Sequence, residues 1–429
     1  MKEKDIKDIL KSKFQLVEDK YFPDQWKTVF SLFFKKIDYF SHPENLFTEN
    51  DKVIDGKQIG TVKLDDGKQL AIFTVEVADS ISIIRNRQGL REIAAKHIDQ
   101  NIIHGSLAFF YNKKQANYRF SFIAKEASID LETGELIKGE TKPKRYTYLL
   151  GSNEACTTPA KRMLVLADKK EKGAVDINQM KEVFSVEALN KDFFKTYKAH
   201  YEKFWKYLAD EENPYRTKLI DAEKDDKVKQ EKPIRDFAKK LLGRIVFLHF
   251  LQKKGWMGVP SKLRITNERI TNERITNEGD WINGDANFMQ NLFAFCPDKD
   301  QFHSNYLTTL FFKTLNTKRD GDLAPECLVH NSESVIHNCK IPYLNGGLFE
   351  PEKNKATLKI DFPADFFKEL LEFFEQYNFT IDENSPDDHE VGIDPEMLGH
   401  ILKTCWKTTE TKEHFIRPRK LCSICARKV

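Results

Sequence analysis

The fold of the first part of the chain is predicted from the stretch Ile59-Gly-Thr-Val-Lys-Leu-Asp-Asp-Gly-Lys-Gln-Leu-Ala-Ile-Phe-Thr-Val-Glu-Val77. Apolar and polar residues alternate on both sides of Asp65-Asp-Gly-Lys68. An Asp-Gly pair between two alternating runs is a strong signal for a hairpin turn. We therefore predict two antiparallel strands, at residues 59–64 and 69–77, joined by this turn.

Helical and strand patterns alternate around this hairpin. Residues 1 to about 45 carry apolar side chains at helical spacing, and residues 85–98 form a basic amphipathic pattern typical of a helix. A second hairpin is predicted from residues 106–111 and 118–125. The order helix, hairpin, helix, hairpin predicts an α/β domain with a mixed sheet, which we place at residues 1–152.

Beyond this domain the chain is mainly helical in pattern. Asn190 can cap a helix rich in Phe and Tyr, and Pro233 can begin another helix that Gly255 closes. Aromatic residues at such regular spacing are typical of a helical core. We therefore predict an α-helical connector at residues 153–340.

Size and composition describe a chain of two or three domains. The chain has 429 residues, of which 40% are hydrophobic and 31% charged, with a formal net charge of +3. A near-balanced charge means that any nucleic-acid surface must come from local clusters of basic residues. The charged start, the short apolar runs and the seven scattered cysteines predict a reduced, cytoplasmic protein without a membrane span.

A distinctive stretch begins at Ile341-Pro-Tyr-Leu-Asn-Gly-Gly-Leu-Phe-Glu350, where a Pro and two adjacent glycines lie among large apolar residues. This composition predicts a tight loop whose backbone approaches other groups closely. Residues 363–377 then carry an apolar stripe at helical spacing. Further on, Asp394 can cap a helix with Pro395 at its first position.

Three segments in this stretch carry a family resemblance. Pro342-Tyr-Leu-Asn-Gly-Gly-Leu-Phe349, Tyr377-Asn-Phe-Thr-Ile-Asp-Glu-Asn384 and Ile393-Asp-Pro-Glu-Met-Leu-Gly399 resemble the lead-in to the adenine-specific methyltransferase domain of large bacterial type IIG restriction-modification enzymes. In those enzymes an endonuclease domain, a helical connector, a methyltransferase domain and a target-recognition domain lie on one chain. The resemblance extends from the first residues to about Thr411, so residues 341–411 would be the lead-in.

The last residues depart from the family pattern. The family continues with a Lys-Gly-(Ala/Ser)-(Phe/Tyr)-Tyr-Thr-Pro segment, whereas residues 412–429 read Lys412-Glu-His-Phe-Ile-Arg-Pro418 and onward to Val429. Codons compatible with this tail, shifted by one nucleotide, can spell Lys-Gly-Ala-Phe-Tyr-Thr-Pro. We therefore expect a frameshift near Lys412, an out-of-frame tail, and a chain that is the front part of a longer ancestral enzyme.

The resemblance implies a restriction-endonuclease-like first domain, whose hairpin strands carry metal-binding acids near a basic group. Such sites use carboxylates to hold Mg²⁺ at the scissile phosphate and a cation to stabilise negative charge. The candidate catalytic residues are Asp66, Glu76 and Lys68, with Asp66 and Glu76 as metal ligands. The usual acid, any residue, lysine pattern fails, because Glu76 is followed by Val77 and Ala78.

The basic group of the site could come from either of two parts of the sequence. It could be Lys68, or it could come from Arg85, Arg87 and Arg91, which are also the candidate DNA-binding residues. A purely structural interpretation also stays open. In it, Asp65 and Asp66 serve the turn, Glu76 is a solvated strand residue and the arginines face water.

Methyl transfer needs motifs that the sequence lacks. Neither a glycine-rich S-adenosylmethionine turn after a strand nor an Asn-Pro-Pro-(Tyr/Phe) or Asp-Pro-Pro-Tyr motif occurs. We therefore expect no S-adenosylmethionine binding by this chain.

The sequence predicts the N-terminal portion of a bacterial restriction-modification enzyme that acts on double-stranded DNA, with a Mg²⁺-dependent endonuclease domain and a helical connector. A separate methyltransferase or specificity portion is the expected protein partner. Two alternatives remain. The chain could be a non-catalytic DNA-binding or docking portion of an adenine-specific DNA methyltransferase, or an inactive remnant with an exposed docking surface.

Overall fold

The computed structural model describes most of the chain. The described residues are 2–16, 20–46, 51–84, 90, 104–124, 144–260, 265–266, 269–270, 284–324, 339–344, 347–380, 388–395 and 397. They fall into two units. Unit 1 comprises Met1–Lys191, Glu375–Asn378 and Glu383–Ile393, and unit 2 comprises Asp192–Phe374, Phe379–Asp382 and Asp394–Val429.

Unit 1 is built on one mixed sheet, as the α/β pattern predicts. Seven of the described strands form it: β1 (Lys36–Asn45), β2 (Val53–Lys63), β3 (Gln69–Val77), β4 (Gly105–Tyr111), β5 (Asn117–Ala124), β6 (Lys144–Gly151) and β11 (Asp388–Glu390). They lie side by side in this order. β3 pairs with β4 in parallel and β6 pairs with β11 in parallel, whereas the other neighbours are antiparallel. Both predicted hairpins are therefore confirmed.

The described helices of unit 1 come before β1 and after β6 in sequence. They are α1 (Glu3–Lys11), α2 (Asp24–Phe33), Thr157–Glu171, Ile177–Val183 and the first residues of Val186–Ala209. The expectation of helix up to about residue 45 is wrong for β1. β1 forms at the sheet edge by pairing with β2. Pro43 is tolerated in it because proline lacks a backbone N–H, and an edge strand has a neighbour on one side only.

Alternation along the strands gives the sheet two different buried faces. On one face, rings from α2 and from the segment between α1 and α2 pack on β4 and β5, for example Trp26 on Phe109 with ring centroids 4.7 Å apart and Phe14 on Tyr111 at 5.0 Å. On the other face, Phe73 and Val75 belong to a second apolar cluster. Glu76 alternates with these residues and therefore lies on the α1 and α2 face.

β2 carries two register shifts against β3. One lies between Val53 and Asp55 and the other between Gln58 and Gly60. In each, β2 has one more residue than β3, which is a β-bulge. Gly60 is required at the second, because a Cβ atom there would lie 2.3 Å from the Asp38 carbonyl oxygen on β1.

The strand β11 comes from the region predicted as a methyltransferase lead-in, yet it completes the sheet of unit 1. Two buried ion pairs hold it: Arg145 contacts Asp388 at 3.0 Å and Arg119 contacts Glu390 at 2.9 Å. Both arginine side chains are 0% exposed. Unit 1 thus includes residues on both sides of the predicted boundaries at residues 152 and 340, which remain predictions.

Unit 2 is mainly helical, as the connector pattern predicts. Its described helices are the rest of Val186–Ala209, then Arg216–Leu219, Lys227–Gln230, Lys232–Lys253, Phe288–Phe295, Lys299–Gln301, Phe302–Leu307, Thr309–Leu315, Asp320–Asp322, Gly347–Phe349, Lys355–Lys359 and Ala364–Phe374. Short strands pair at Val259–Pro260 (β7) with Cys339–Lys340 (β10) and at Ile265–Thr266 (β8) with Arg269–Ile270 (β9). Among the described residues, no helix has the length and apolarity needed to span a bilayer.

The loop that follows the two glycines of the 341–350 stretch is fixed by a buried arginine of unit 2. Arg244 donates hydrogen bonds to the carbonyl oxygens of Leu348 and Glu350, each at 2.7 Å, and forms an ion pair with Glu352 at 3.0 Å. Its guanidinium also lies 5.0 Å from the centroid of the Phe312 ring. Arg244 therefore holds the backbone after the glycines from inside unit 2. The close approach predicted at the glycines themselves is not seen at Gly347, where an added Cβ atom would meet nothing within 4 Å, and Gly346 lies outside the described residues.

Two histidines of unit 2 belong to its core. His249 and His303 are buried, and burial lowers the pKa of each to about 4. The Nδ1 atoms of both rings contact carbonyl oxygens, of Ile245 at 2.9 Å and of Ile360 at 2.7 Å. They are neutral packing residues at pH 7.

Candidate active site

Asp66 and Lys68 lie in the β2–β3 turn, where they stabilise the turn and the helix beside it. An Asp66 carboxylate oxygen accepts a hydrogen bond from the Lys68 backbone N–H at 3.2 Å, and the other accepts from the Ile177 N–H at 3.3 Å. Gly67 has a φ of +83°, which suits glycine at this position. Burial opposes ionisation of Asp66, but these bonds and the Lys68 ammonium lower the pKa of its carboxyl. The geometry is that of a structural turn.

Replacing Asp66 with Ala is expected to destabilise unit 1 by about 0.5–2 kcal/mol, the usual cost of losing a side-chain cap. The first N–H of the helix Ile177–Val183 would lose its carboxylate partner. Urea unfolding monitored by circular dichroism measures this difference. An unchanged stability together with a selective loss of a catalytic activity would instead return Asp66 to a catalytic site.

Glu76 lies near the opposite end of β3. From Gln69 to Glu76 the strand spans about 23 Å, at about 3.3 Å per residue, and Asp66 lies beyond the Gln69 end. The structure therefore does not bring Asp66, Lys68 and Glu76 together. The side chain of Glu76 is only 7% exposed, so it is not a solvated strand residue, and its Oε2 atom lies 2.9 Å from Nζ of Lys113.

The acid that the structure brings to Glu76 is Asp55 of β2. The two residues are direct partners across the antiparallel pair. Side chains of such partners lie on the same face, with Cβ atoms about 4.5–5.5 Å apart. The Asp55 carboxylate lies 3.0 Å from Nζ of Lys57. We call Asp55, Glu76, Lys57 and Lys113 the acidic pair site.

Tyr111 lies close to both acids. It is the β4 partner of Glu76 in the parallel pairing. Its hydroxyl pKa is raised, first by burial and then by the negative charges of Glu76 and Asp55. The carboxylates of Asp55 and Glu76 and the phenol of Tyr111 therefore lie near one another, where β2 begins and where β3 and β4 end.

The loop after β4 is fixed against the segment that leaves β3. The Asn112 side chain donates to the Val77 carbonyl oxygen at 2.8 Å and to Asp79 at 3.0 Å. Gln115 donates to the Ile81 carbonyl oxygen at 2.7 Å and accepts from the Ile83 N–H at 2.9 Å. These bonds hold Lys113 beside the acidic pair.

The predicted DNA-binding residues Arg85, Arg87 and Arg91 lie outside the described residues. The last described residues before them are held by Arg119, which donates hydrogen bonds to the carbonyl oxygens of Ile83 at 2.6 Å and Ile84 at 2.8 Å. Within the described part of the chain, no three His, Cys, Asp or Glu side chains form a group that could hold a metal ion.

Comparison of the chain with protein-family models, with curated proteins and with solved structures gives no match.

Proposed function

We propose that unit 1 is a Mg²⁺-dependent DNA endonuclease module and that the chain is the N-terminal part of a bacterial restriction-modification protein. The observation that supports this proposal most directly is the acidic pair site: Asp55 opposite Glu76 at one end of the sheet, with the Lys113 ammonium 2.9 Å from Glu76. Two carboxylates and a cation are the groups that metal-assisted phosphodiester hydrolysis requires.

The donor set suits Mg²⁺. This ion prefers oxygen ligands and is commonly held by one or two carboxylates, with waters and substrate phosphate completing its octahedron. Asp55 and Glu76 would hold it, and Asp66 would not, because β3 separates it from Glu76 by about 23 Å. When bound, Mg²⁺ would polarise a phosphoryl oxygen and lower the pKa of a bound water.

The sheet order supports the same proposal. The mixed sheet of unit 1, with β1, β2 and β3 antiparallel and β4 parallel to β3, is of the α/β kind that the resemblance implies for the first domain. In this proposal the substrate is double-stranded DNA, and a methyltransferase or specificity portion is the partner. Arg85, Arg87 and Arg91 remain proposed phosphate contacts.

A plasmid assay tests the proposal. The purified chain is incubated with supercoiled plasmid at low salt, either with an excess of Mg²⁺ or with EDTA. We expect open-circle and linear DNA only with Mg²⁺. Equal amounts of product with Mg²⁺ and with EDTA would contradict it.

A non-catalytic role in binding DNA is the second candidate. The observation that favours it is that each acid already has a lysine partner, Lys57 for Asp55 and Lys113 for Glu76, as in a structural ion-pair cluster. Retention of labelled duplex DNA without any cleavage in Mg²⁺ or Mn²⁺ would favour this role.

A further inference from the structure

We propose that Lys113 is the catalytic cation of the acidic pair site and that its ammonium contacts the scissile phosphate. This inference rests on the proposed endonuclease function and adds the basic residue that the strand bearing Glu76 lacks. Ala78 stands two residues after Glu76, whereas Lys113 stands two residues after Tyr111, the residue paired with Glu76 on the parallel neighbour β4. The two strands run in the same direction, so the segments that follow them leave the same end of the sheet. Lys113 lies in the turn after β4, and its ammonium is 2.9 Å from the Glu76 carboxylate.

The backbone around Lys113 is held from two sides. Asn112 and Gln115 fix the loop to the segment after β3, and the Lys113 carbonyl oxygen accepts a hydrogen bond from the Lys13 ammonium. The Lys113 side chain nevertheless remains 63% exposed, although its ammonium lies beside a carboxylate that is 7% exposed. A fixed backbone with an accessible ammonium suits a group that must meet a substrate entering from solvent.

The other described cations in this region fit the role less well. Lys57 is only 25% exposed, pairs with Asp55, and has its Nζ atom 5.0 Å from the centroid of the Tyr21 ring. Lys114 pairs with Asp79, outside the acidic pair. Lys68 lies in the turn at the far end of β3, as its ion pair with Asp66 shows. Lys113 is therefore the one whose ammonium contacts the buried carboxylate.

The assigned role is electrostatic. In the hydrolysis, the oxygen of water forms a bond to phosphorus, and the bridging P–O bond to the leaving sugar oxygen breaks. The water gives one proton to solvent, and the leaving oxygen receives one proton from solvent. Negative charge on the phosphoryl oxygens rises in the transition state, and an ammonium placed against them stabilises it more than the ground state.

The test compares Lys113→Met and Lys113→Arg with the matched control Lys114→Met, which changes the adjacent lysine of the same loop. We expect Lys113→Met to slow plasmid cleavage about 100-fold, the usual effect of removing one such donor. Lys113→Arg should recover part of the rate because it keeps the charge, and Lys114→Met should cleave within about twofold of wild type. Thermal unfolding verifies that all three variants are folded.

Two binding measurements separate catalysis from a structural role. Mn²⁺ binding, followed by electron paramagnetic resonance, should be equal or tighter in Lys113→Met, because the variant removes a cation that competes for Glu76. Duplex binding in Ca²⁺ should change by no more than a few-fold, the loss of one phosphate contact. Weakened Mn²⁺ binding with the same fall in cleavage would mean that Lys113 only positions Glu76, and would overturn the inference.

The inference and the proposed function fail in different ways. Cleavage by Lys113→Met at the wild-type rate, in a chain that needs Mg²⁺ and Glu76, would overturn the role of Lys113 and leave the endonuclease function standing. Absence of Mg²⁺-dependent cleavage by the wild-type chain would overturn the endonuclease function and this inference with it.

Discussion

The variant Glu76→Gln is expected to cleave DNA about 1000-fold more slowly than wild type, a loss of about 4 kcal/mol of transition-state stabilisation. Glutamine keeps the size of the side chain but removes the charge that would hold Mg²⁺ against the phosphate. Asp55→Asn should show a loss of similar size, because Asp55 and Glu76 are opposite partners on β2 and β3. Initial rates of plasmid nicking at saturating Mg²⁺ measure both effects.

The loss of cleavage in these two variants is not expected to be accompanied by a loss of folding stability. The Glu76 side chain is buried, whereas its partner Lys113 is exposed and can be solvated without it. A neutral side chain at position 76 is therefore expected to leave the free energy of unfolding unchanged or to raise it. Asp38→Asn on β1 is the matched control, since it removes an exposed carboxylate of the same sheet. It should cleave as wild type. A Glu76→Gln variant that is fully active would exclude the acidic pair as the site of hydrolysis.

The second large effect concerns stability. Arg145→Met is expected to lower the free energy of unfolding of unit 1 by about 3–5 kcal/mol, the cost of removing one partner of a buried ion pair. Arg145 donates to both carboxylate oxygens of Asp388, at 3.0 and 3.1 Å, and both side chains are almost fully buried. The variant leaves the Asp388 charge inside unit 1 without this guanidinium. Urea unfolding measures the change.

A double variant separates the cost of a broken pair from the contribution of an intact one. Arg145→Met combined with Asp388→Leu should recover most of the lost stability, because replacing a whole buried pair by apolar side chains is often neutral. Hydrogen exchange should show β11 released in the single variant and protected again in the double variant. Lys114→Met, which removes the exposed pair with Asp79, should leave stability almost unchanged. A single variant as stable as wild type would mean that β11 pairing does not depend on Arg145.

Local chemistry determined much of unit 1. The Asp-Gly turn with Gly67 at positive φ and the alternation in residues 69–77 predict the β2–β3 hairpin and place Glu76 on the face opposite Phe73 and Val75. The structural interpretation of Asp66 also follows from turn chemistry, because Asp is favoured where its carboxylate can accept nearby backbone N–H groups. These features depend on a few adjacent residues, so a sequence specifies them directly.

Tertiary structure decided which acid faces Glu76. Near the turn Lys63 pairs with Gln69 and Gly60 with Ile72, and the same count continued along the strands would place Gly56 opposite Glu76. The bulge between Gln58 and Gly60 adds a residue to β2 and brings Asp55 there instead. The bulge lies where Gly60 passes the Asp38 carbonyl oxygen of β1 at a distance that admits no side chain.

Contacts distant in sequence decided the rest. Lys113 reaches Glu76 because β4 pairs with β3 in parallel, and β11 completes the sheet because its carboxylates meet Arg119 and Arg145, which are more than 240 residues away. Periodicity and turn residues identify each strand, but they do not encode which strands become neighbours. That choice depends on burying charges and apolar faces together in the folded sheet, which only the complete unit achieves.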